Sequence, residues 1–199
     1  MGRNSGGVIQ TNRGGRISEL AKEAIDYYVD GNGYDLNYAL RNGEKVEGED
    51  VLLQKGLDEA TSKPLGKSFT LYRGVSFASV FGDAEYGYVK AAIVDNDSSS
   101  YVQEAFKKAK KNAMQVKTDK GYMSGSLKSD VAESFGGSRN VIMKMSIKKG
   151  TKGIDLNANK SLYRNNTYEQ EVILTRGLKY KITKVYSRNG RIYVDADII

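Results

Sequence analysis

Apolar and polar positions divide the chain into a helical first third and a strand-rich remainder. Across residues 17–30, apolar side chains recur at helical spacing, and Gly31 can end the helix. Two further helices are predicted over 34–43 and 48–63, and the second begins with acidic residues, which a helix N-terminus favours. Pro64, the one proline of the chain, closes this region. The pattern therefore predicts three helices before the first strand.

Beyond residue 64, β-branched and aromatic residues concentrate in short runs that predict strands. The predicted strands cover 69–75, 121–127, 140–147, 169–176, 179–187 and 191–199. Helices are predicted over 83–94, 99–116 and 128–136, with a long loop over 148–167. Helices therefore come first and strands follow, without regular alternation of the two. This order predicts an α+β fold.

The length and polarity of the chain indicate one domain behind a short leader. A chain of 199 residues can bury a core without disulfide bonds or a metal. Residues 1–15 are polar and rich in glycine, so we expect a flexible leader followed by a single domain over 16–199. No run approaches 18 uncharged apolar residues and no signal peptide is visible. We therefore expect that the protein makes no use of a membrane, and we also expect a monomer.

The composition excludes several kinds of chemistry, because the chain has neither cysteine nor histidine. Without cysteine there is no disulfide, thiolate nucleophile or cysteine-ligated zinc. Without histidine there is no Ser-His-Asp triad and no histidine-ligated metal. Any reaction must therefore use carboxylates, hydroxyls, lysine, arginine, tyrosine or the backbone.

An excess of 31 basic over 24 acidic residues gives the chain a net charge of +7, which suits an anionic partner. Part of this excess lies in residues 103–120, where six lysines accompany Glu104 and Asp119. A solvated helix face explains these lysines most simply. The alternative is a docking surface for an acidic protein or a nucleic acid, although few aromatic residues are interleaved for stacking on a single strand.

Two glutamates in "TYEQEV", residues 167–172, precede an apolar run. In a strand, Glu169 and Glu171 would share one face, about 6.6 Å apart along the chain, while Gln170 points away. The plainer interpretation is an edge strand whose charges discourage aggregation. The alternative is a pair of carboxylates in a functional site.

Two other short motifs could bind a ligand. In "LYRGVS", Arg73 ends an apolar strand and offers a rigid fork for phosphate or carboxylate, and Gly74 lets a ligand approach the backbone. In "GYMSGSL", Ser124 and Ser126 lie where a strand meets a turn and could brace a carboxylate or contact a ligand. A surface arginine and ordinary turn chemistry are the plainer interpretations.

The order and spacing of these three motifs resemble one family. An arginine on the first strand, then Ser-x-Ser, then Glu-x-Glu is similar to the arginine–serine–glutamate class of mono-ADP-ribosyltransferases, which includes the actin-modifying binary toxins and related exoenzymes. "YDLNYALR" (34–41) is similar to the family's helical segment before the arginine, and "VIMKMSIKKGTKGIDL" (141–156) to a later strand and turn. The resemblance covers nearly the whole chain. It implies N-terminal helices followed by a mixed two-sheet β core of the ADP-ribosyltransferase type.

The resemblance implies an enzyme that uses NAD as a substrate and needs no metal. Such enzymes cleave the bond between nicotinamide and ribose, transfer ADP-ribose to a protein side chain, and hydrolyse NAD as a side activity. Their transition state is oxocarbenium-like, so a nearby carboxylate stabilises it. By family position this carboxylate is Glu171, held in place by Ser124. Members with Gln-x-Glu modify other side chains, so Glu169 implies an arginine acceptor, which it would orient.

The resemblance also assigns residues to NAD binding. These candidates are Arg73, Gly74, Ser124, Ser126, Phe135, Arg139, Asn37 and Arg41. Arg73 would bind the phosphates or ribose, and Gly74 would offer backbone to the nicotinamide amide. Phe135 falls where the family packs an aromatic ring on nicotinamide.

Gly125 departs from the family pattern, because relatives carry threonine between the two serines. Tyr163 and Tyr168 are candidates for the aromatic residue with which relatives recognise a target protein. The resemblance implies a toxin or effector that is secreted or delivered into a target cell, or a cytoplasmic enzyme if it is phage-encoded. The open alternatives are a basic, non-catalytic binding module and a transferase that modifies nucleic acid or another side chain.

Overall fold

The computed structural model describes residues 8–10, 16–81, 100–135, 141–158, 168–188 and 191–199. The chain divides into two compact units. The first unit comprises Met1–Gly66, Asp119–Ser124 and Gly150–Leu178, and the second comprises Lys67–Thr118, Gly125–Lys149 and Lys179–Ile199. Within the described ranges, no helix has both the length and the apolar character needed to cross a lipid bilayer.

Regular elements account for most of the described residues. The helices are α1 (Glu19–Tyr27), α2 (Tyr34–Asn42), α3 (Asp50–Ala60), α4 (Phe77–Phe81), α5 (Ser100–Lys111) and α6 (Ser129–Phe135). The strands are β1 (Val8–Gln10), β2 (Arg16–Ser18), β3 (Phe69–Val75), β4 (Val116–Asp119), β5 (Met123–Ser126), β6 (Val141–Ile147), β7 (Gly153–Asp155), β8 (Glu171–Leu174), β9 (Leu178–Arg188) and β10 (Arg191–Ile198).

Helices α1, α2 and α3 belong to the first unit and contribute to one apolar core. Ser18 caps α1, because its hydroxyl accepts a hydrogen bond from the Ala21 N–H at 3.1 Å. A π-helical turn, Tyr28–Asn32, links α1 to α2, and Gly43 ends α2 in the left-handed conformation. The buried residues of this core are Ile17, Ala21, Ala24, Ile25, Tyr28, Leu36, Leu53, Leu57, Ala60, Tyr122, Ile154, Leu156 and Ile173.

The strands of the first unit bring distant parts of the chain together. β1, which lies within the expected leader, pairs antiparallel with β2. β7 pairs antiparallel with β8, so that Asp155 lies opposite Val172 and Gly153 opposite Leu174. The first two residues of β5, Met123 and Ser124, belong to this unit, and β5 is the next strand beside β8. Ser124 therefore lies on the strand adjacent to the one that begins with Glu171.

The second unit is built on a mixed sheet. Its strand order is β4-β9-β10-β6-β3, with the last two residues of β5 beside β3. β6 and β10 run parallel, whereas the β9–β10, β3–β6 and β3–β5 pairs are antiparallel. Along β6 the side chains of Met143, Met145 and Ile147 are buried, and those of Lys144 and Ser146 are exposed. From Met143 onward, this strand therefore has one apolar and one polar face.

The α+β class is confirmed, with α1, α2 and α3 ahead of most of the mixed β-structure. The prediction of three helices before the first strand is wrong, because the short strands β1 and β2 precede α1. The predicted helix over 99–116 is too long, because α5 ends at Lys111 and β4 begins at Val116. Met114 adopts a left-handed φ of 70°, and its N–H donates to the Ile182 carbonyl at 2.6 Å. Pairing with β9 therefore overrides the local helix preference here.

The predicted loop over 148–167 contains regular structure, since β7 and a 3₁₀ turn, Leu156–Ala158, lie within it. A strand of three residues is too short to show a periodic pattern, so its pairing with β8 could not be anticipated. The strand predicted over 169–176 is shorter than expected and covers only Glu171–Leu174. The helix predicted over 83–94 lies outside the described residues.

Candidate active site

Glu171 is the first residue of β8, and its backbone is held from both sides. Residues 172–174, which follow it, are fully buried. The Asn157 side-chain amide donates a hydrogen bond to the Glu171 carbonyl at 3.3 Å. Asn157 is itself oriented by Asp155, whose carboxylate accepts from the Asn157 N–H at 3.0 Å. The main chain at Glu171 is therefore fixed by the end of the apolar strand and by the 3₁₀ turn.

The surroundings of the Glu171 carboxyl group disfavour its charged form. Burial contributes most to raising its pKa, the Glu169 carboxylate raises it further, and a hydrogen bond from the Ser124 hydroxyl opposes both. The net effect is a pKa of about 7 instead of 4.5. Strongly perturbed carboxyl groups concentrate at functional sites. Among the described residues of the first unit, Glu171 is therefore well suited to chemistry near neutral pH.

Glu169 is placed differently from the prediction. It lies with Tyr168 in a turn that precedes β8, and Gln170 has a φ of 45°. The prediction that Glu169 and Glu171 share the face of one strand is therefore wrong, because a left-handed residue between them interrupts the strand. The two carboxylates are nevertheless close enough for Glu169 to raise the pKa of Glu171. Glu169 is therefore held in a turn and is not part of the hydrogen-bonded strand β8.

Asn37, a predicted NAD ligand, is buried and hydrogen-bonded inside the first unit. Its side-chain carbonyl accepts from the Tyr122 N–H at 2.7 Å, and its amide donates to the Tyr28 hydroxyl at 3.0 Å. These contacts tie α2 to the segment that leads into Ser124. A contact between Asn37 and NAD stays a prediction.

Arg41 contacts the same segment from the next turn of α2. Its guanidinium forms a two-pronged ion pair with Asp119, at 2.9 and 3.2 Å, and donates to the Tyr122 carbonyl at 3.2 Å. Gly121 makes room for both α2 side chains, because a Cβ there would lie 2.6 Å from the Asn37 side-chain oxygen and 3.2 Å from Arg41 Nε. The packing therefore requires a glycine at position 121, although no sequence motif indicated this.

Tyr122, which the sequence did not single out, links this segment to a charged cluster. Its hydroxyl donates to the Asp58 carboxylate at 2.7 Å, and Arg176 forms two hydrogen bonds with the same carboxylate at 2.8 and 2.9 Å. Burial alone would raise the pKa of Asp58, but the hydrogen bonds from Arg176 and Tyr122 outweigh it and the pKa is lowered. Residues distant in sequence form this cluster, so no local motif could reveal it.

Arg73 and Gly74 lie in the second unit, near the end of β3. They are partly exposed and stand opposite Met143 and Ile142 of β6. Gly125 lies beside them, and a Cβ at that position would come within 2.8 Å of Arg73 Cγ and 2.6 Å of the Tyr72 carbonyl oxygen. The departure from threonine therefore accommodates the packing of β5 on β3.

Ser126, the second serine of the motif, is buried in the second unit. Its hydroxyl accepts from the Lys128 N–H at 2.9 Å, one residue before α6 begins. A serine hydroxyl that accepts from a backbone N–H two residues later is an ordinary turn contact, as the plainer interpretation of the motif predicted. A contact between Ser126 and NAD stays a prediction. The Phe135 side chain, Arg139 and Tyr163 lie outside the described part of the chain.

The structure thus brings three predicted residues together in the first unit, namely Ser124, Glu169 and Glu171. Within the described ranges, no group of three or more carboxylates is arranged to hold a metal ion. The site of the first unit therefore consists of a perturbed carboxyl group, a hydroxyl that holds it, and a second carboxylate beside it.

A model of the ADP-ribosyltransferase exoenzyme family matches residues 7–199 of the chain. A search of curated proteins gave no match. Among solved structures, an ADP-ribosyltransferase from Clostridium botulinum is 24% identical, with a TM-score of 0.70 over 92% of this chain and 87% of that one.

Two further structures show the same fold. The C3larvin toxin, an ADP-ribosyltransferase from Paenibacillus larvae, is 25% identical, with a TM-score of 0.65 over 91% of this chain and 88% of that one. C3stau2 from S. aureus, solved with NAD, is 21% identical, with a TM-score of 0.69 over 92% and 87% of the two chains.

Proposed function

The chain belongs to the ADP-ribosyltransferase exoenzyme family, and we propose that it transfers ADP-ribose from NAD to an arginine side chain of a target protein. The expectation that NAD is the substrate is confirmed by the family and by the relative solved with NAD. The observation that carries the proposed acceptor is the Glu169–Glu171 pair, in which one carboxyl titrates near neutrality beside a second carboxylate.

Glu171 has the surroundings that stabilisation of a ribosyl cation requires. Positive charge develops on the ribose as its bond to nicotinamide breaks, and a fixed carboxylate nearby lowers the energy of that state. The Ser124 hydroxyl donates a hydrogen bond to the carboxylate, and partial burial strengthens its electrostatic effect. Because ionised Glu171 is the active form, the reaction rate rises with pH through the pKa of about 7.

Glu169 prepares the acceptor in this proposal. A guanidinium stays protonated in water because its pKa exceeds about 12, so it is a poor nucleophile on its own. A carboxylate can orient it through paired hydrogen bonds and accept the proton that it loses when its nitrogen bonds to ribose. Glu169 lies in a turn and is only partly buried, so it can meet a side chain that arrives from solvent.

The other predicted residues divide between binding and positioning. Arg73 offers the fork that suits phosphate, and Gly74 leaves its backbone accessible to the nicotinamide amide. Ser126, Phe135 and Arg139 stay predicted NAD contacts.

Two predicted NAD ligands on α2 also act on the protein itself. Asn37 and Arg41 hold the segment before Ser124 through Tyr122 and Asp119. Either residue can affect catalysis through that segment, whether or not it also touches NAD.

Water replaces the acceptor when no arginine is bound, which gives NAD glycohydrolase activity as a side reaction. The family and its toxin relatives support a role as a toxin or effector that is secreted or delivered into a target cell. The proposed enzyme acts as a monomer, without a membrane or a metal.

Incubation with radiolabelled NAD and a small guanidine such as agmatine, in the presence of a chelator, tests the acceptor. A peptide with one arginine, the same peptide with lysine or glutamine in its place, and an oligonucleotide serve as competing acceptors. We expect label on agmatine and on the arginine peptide alone. Label on the oligonucleotide or on the substituted peptides, with none on agmatine, would contradict the arginine proposal.

A further inference from the structure

Gln170, between the two glutamates, has a backbone conformation that a strand would not produce. Its φ of 45° lies in the left-handed region, which residues other than glycine, asparagine and aspartate seldom adopt. Among the described residues other than glycine, only Gln170 and Met114 have a positive φ. Such conformations persist where surrounding structure imposes them and often occur at functional sites.

The side chain of Gln170 does not account for this conformation. It is partly buried, and it forms no hydrogen bond with any other described residue. On its C-terminal side, the Glu171 backbone is held by Asn157 and by the buried strand. A change of φ at Gln170 therefore moves the turn that carries Glu169 and leaves Glu171 in place.

We propose that the left-handed conformation of Gln170 positions Glu169 against Glu171 and thereby sets the share of ADP-ribose that reaches an acceptor instead of water. The proposal rests on the proposed function of the two glutamates. With Gln170 extended, Glu169 would continue β8, which lies between β5 and β7, and would no longer lie in a turn that an incoming side chain can reach. The left-handed residue ends the strand early and presents Glu169 from a turn.

Position 170 can be tested without changing either glutamate. Gln170→Val introduces a β-branched side chain, which strongly disfavours the left-handed conformation and favours an extended one. Gln170→Gly and Gln170→Asn are matched controls, because both residues adopt this conformation readily. For each variant, transfer to agmatine and release of nicotinamide without an acceptor are measured from pH 5 to pH 9.

We expect Gln170→Val to lower the ratio of transfer to hydrolysis by about tenfold, because the acceptor loses its oriented carboxylate. Gln170→Gly and Gln170→Asn should keep the ratio of the unchanged protein within about twofold. The pH profile of nicotinamide release gives a second reading. The charge on Glu169 raises the pKa of Glu171, while the Ser124 hydroxyl lowers it and is unchanged. The acid limb should therefore move to lower pH in Gln170→Val alone.

Three results would overturn the proposal. The first is an unchanged ratio and pH profile in Gln170→Val. The second is an equal loss in the valine, glycine and asparagine variants, because the glutamine side chain would then be responsible. The third is loss of both activities in a valine variant that unfolds cooperatively in urea. If Gln170→Val does not fold, Gln170→Ala replaces it, with a smaller change in the same direction.

The same measurements distinguish a failure of the Gln170 proposal from a failure of the arginine proposal. If the unchanged protein releases nicotinamide but never labels agmatine, the arginine proposal fails. The pH profiles of nicotinamide release then decide the role of Gln170 on their own. An acid limb that shifts in the valine variant and not in the two controls supports the positioning of Glu169, and three identical limbs contradict it.

Discussion

Glu171 and Asp58 are two carboxyl groups of the same unit with opposite electrostatic surroundings. Asp58 faces Arg176 and the Tyr122 hydroxyl, and its pKa is lowered despite burial. Glu171 faces another carboxylate, its burial is deeper, and its pKa rises to about 7. A carboxylate paired with a cation stabilises the fold in its charged form, whereas one with no cation beside it resists ionisation, as is common at functional sites.

The contrast separates a charge that stabilises the fold from one that the proposed function would use. The Asp58 pair has two-pronged geometry and joins α3 to the segment after β8. Glu171 has a hydroxyl as its hydrogen-bond donor, and the charge beside it has the wrong sign for stability. The chain therefore maintains at Glu171 an arrangement that is unfavourable for folding, as is expected at an active site.

The largest expected effect is on catalysis by Glu171. Glu171→Gln keeps the shape and removes the charge, so we expect transfer and NAD hydrolysis both to fall by about a hundredfold to a thousandfold. Nicotinamide release and agmatine labelling measure the two reactions. Asp58→Asn is the matched carboxyl-to-amide control and should keep most of both activities. Equal losses in the two variants would erase the distinction between the two carboxyl groups.

A second effect is on stability, where Glu171→Gln should stabilise the fold. The raised pKa means that the folded protein binds the Glu171 proton more tightly than the unfolded chain does. Stability associated with Glu171 is therefore complete below pH 4.5 and decreases as pH rises through about 7. At pH 8, urea unfolding should find Glu171→Gln about 2 kcal/mol more stable than the unchanged protein, with the difference absent near pH 4. A destabilised variant at pH 8 would contradict this account.

A third effect concerns the segment before Ser124. Asn37→Ala leaves the buried Tyr122 N–H without its acceptor, which should lower the free energy of unfolding by about 2 kcal/mol. Asn37→Asp keeps the acceptor oxygen and should lose less. If Asn37 acts by positioning, kcat falls in the alanine variant while KM for NAD changes little. A large rise in KM with kcat unchanged would instead favour direct contact with NAD.

The smallest effect is expected at the Asp58 pair. Both partners are more than a third exposed, so solvent screens their attraction, and Asp58→Asn should lower stability at pH 7 by about 1 kcal/mol. The lowered pKa of Asp58 means that this contribution is present above the ordinary aspartate pKa and is lost as pH falls through the lowered value. Urea unfolding should show a smaller difference between the two proteins at pH 3 than at pH 7. A larger stability difference at pH 3 than at pH 7 would contradict the lowered pKa of Asp58.

The elements with strong periodicity were predictable from the sequence, whereas the roles that the family resemblance assigns to single residues stay predictions. The predicted strand over 69–75 coincides with β3, and β6 differs from its prediction by one residue. Ser124 and Glu171 meet as the resemblance implied, because strand neighbours follow from the fold that the family shares. The periodicity of apolar residues and the order of the three motifs are enough to predict these features.

The features that escaped prediction depend on tertiary contacts. β4 forms because β9 pairs with it, and the left-handed Gln170 has no glycine to signal it. The contacts of Tyr122 with Asn37 and Asp58 join residues 85 and 64 positions apart. A one-dimensional pattern records none of these partners, so only the folded chain reveals which polar residues support the site.

Glu169→Gln tests the division of roles between the two glutamates most directly. Agmatine labelling and nicotinamide release are measured side by side for this variant and for the unchanged protein at pH 8. The account predicts that labelling falls by about a hundredfold while release without an acceptor changes by no more than a few-fold. If labelling and release fall together, or if neither changes, Glu169 does not serve the acceptor and the central claim is contradicted.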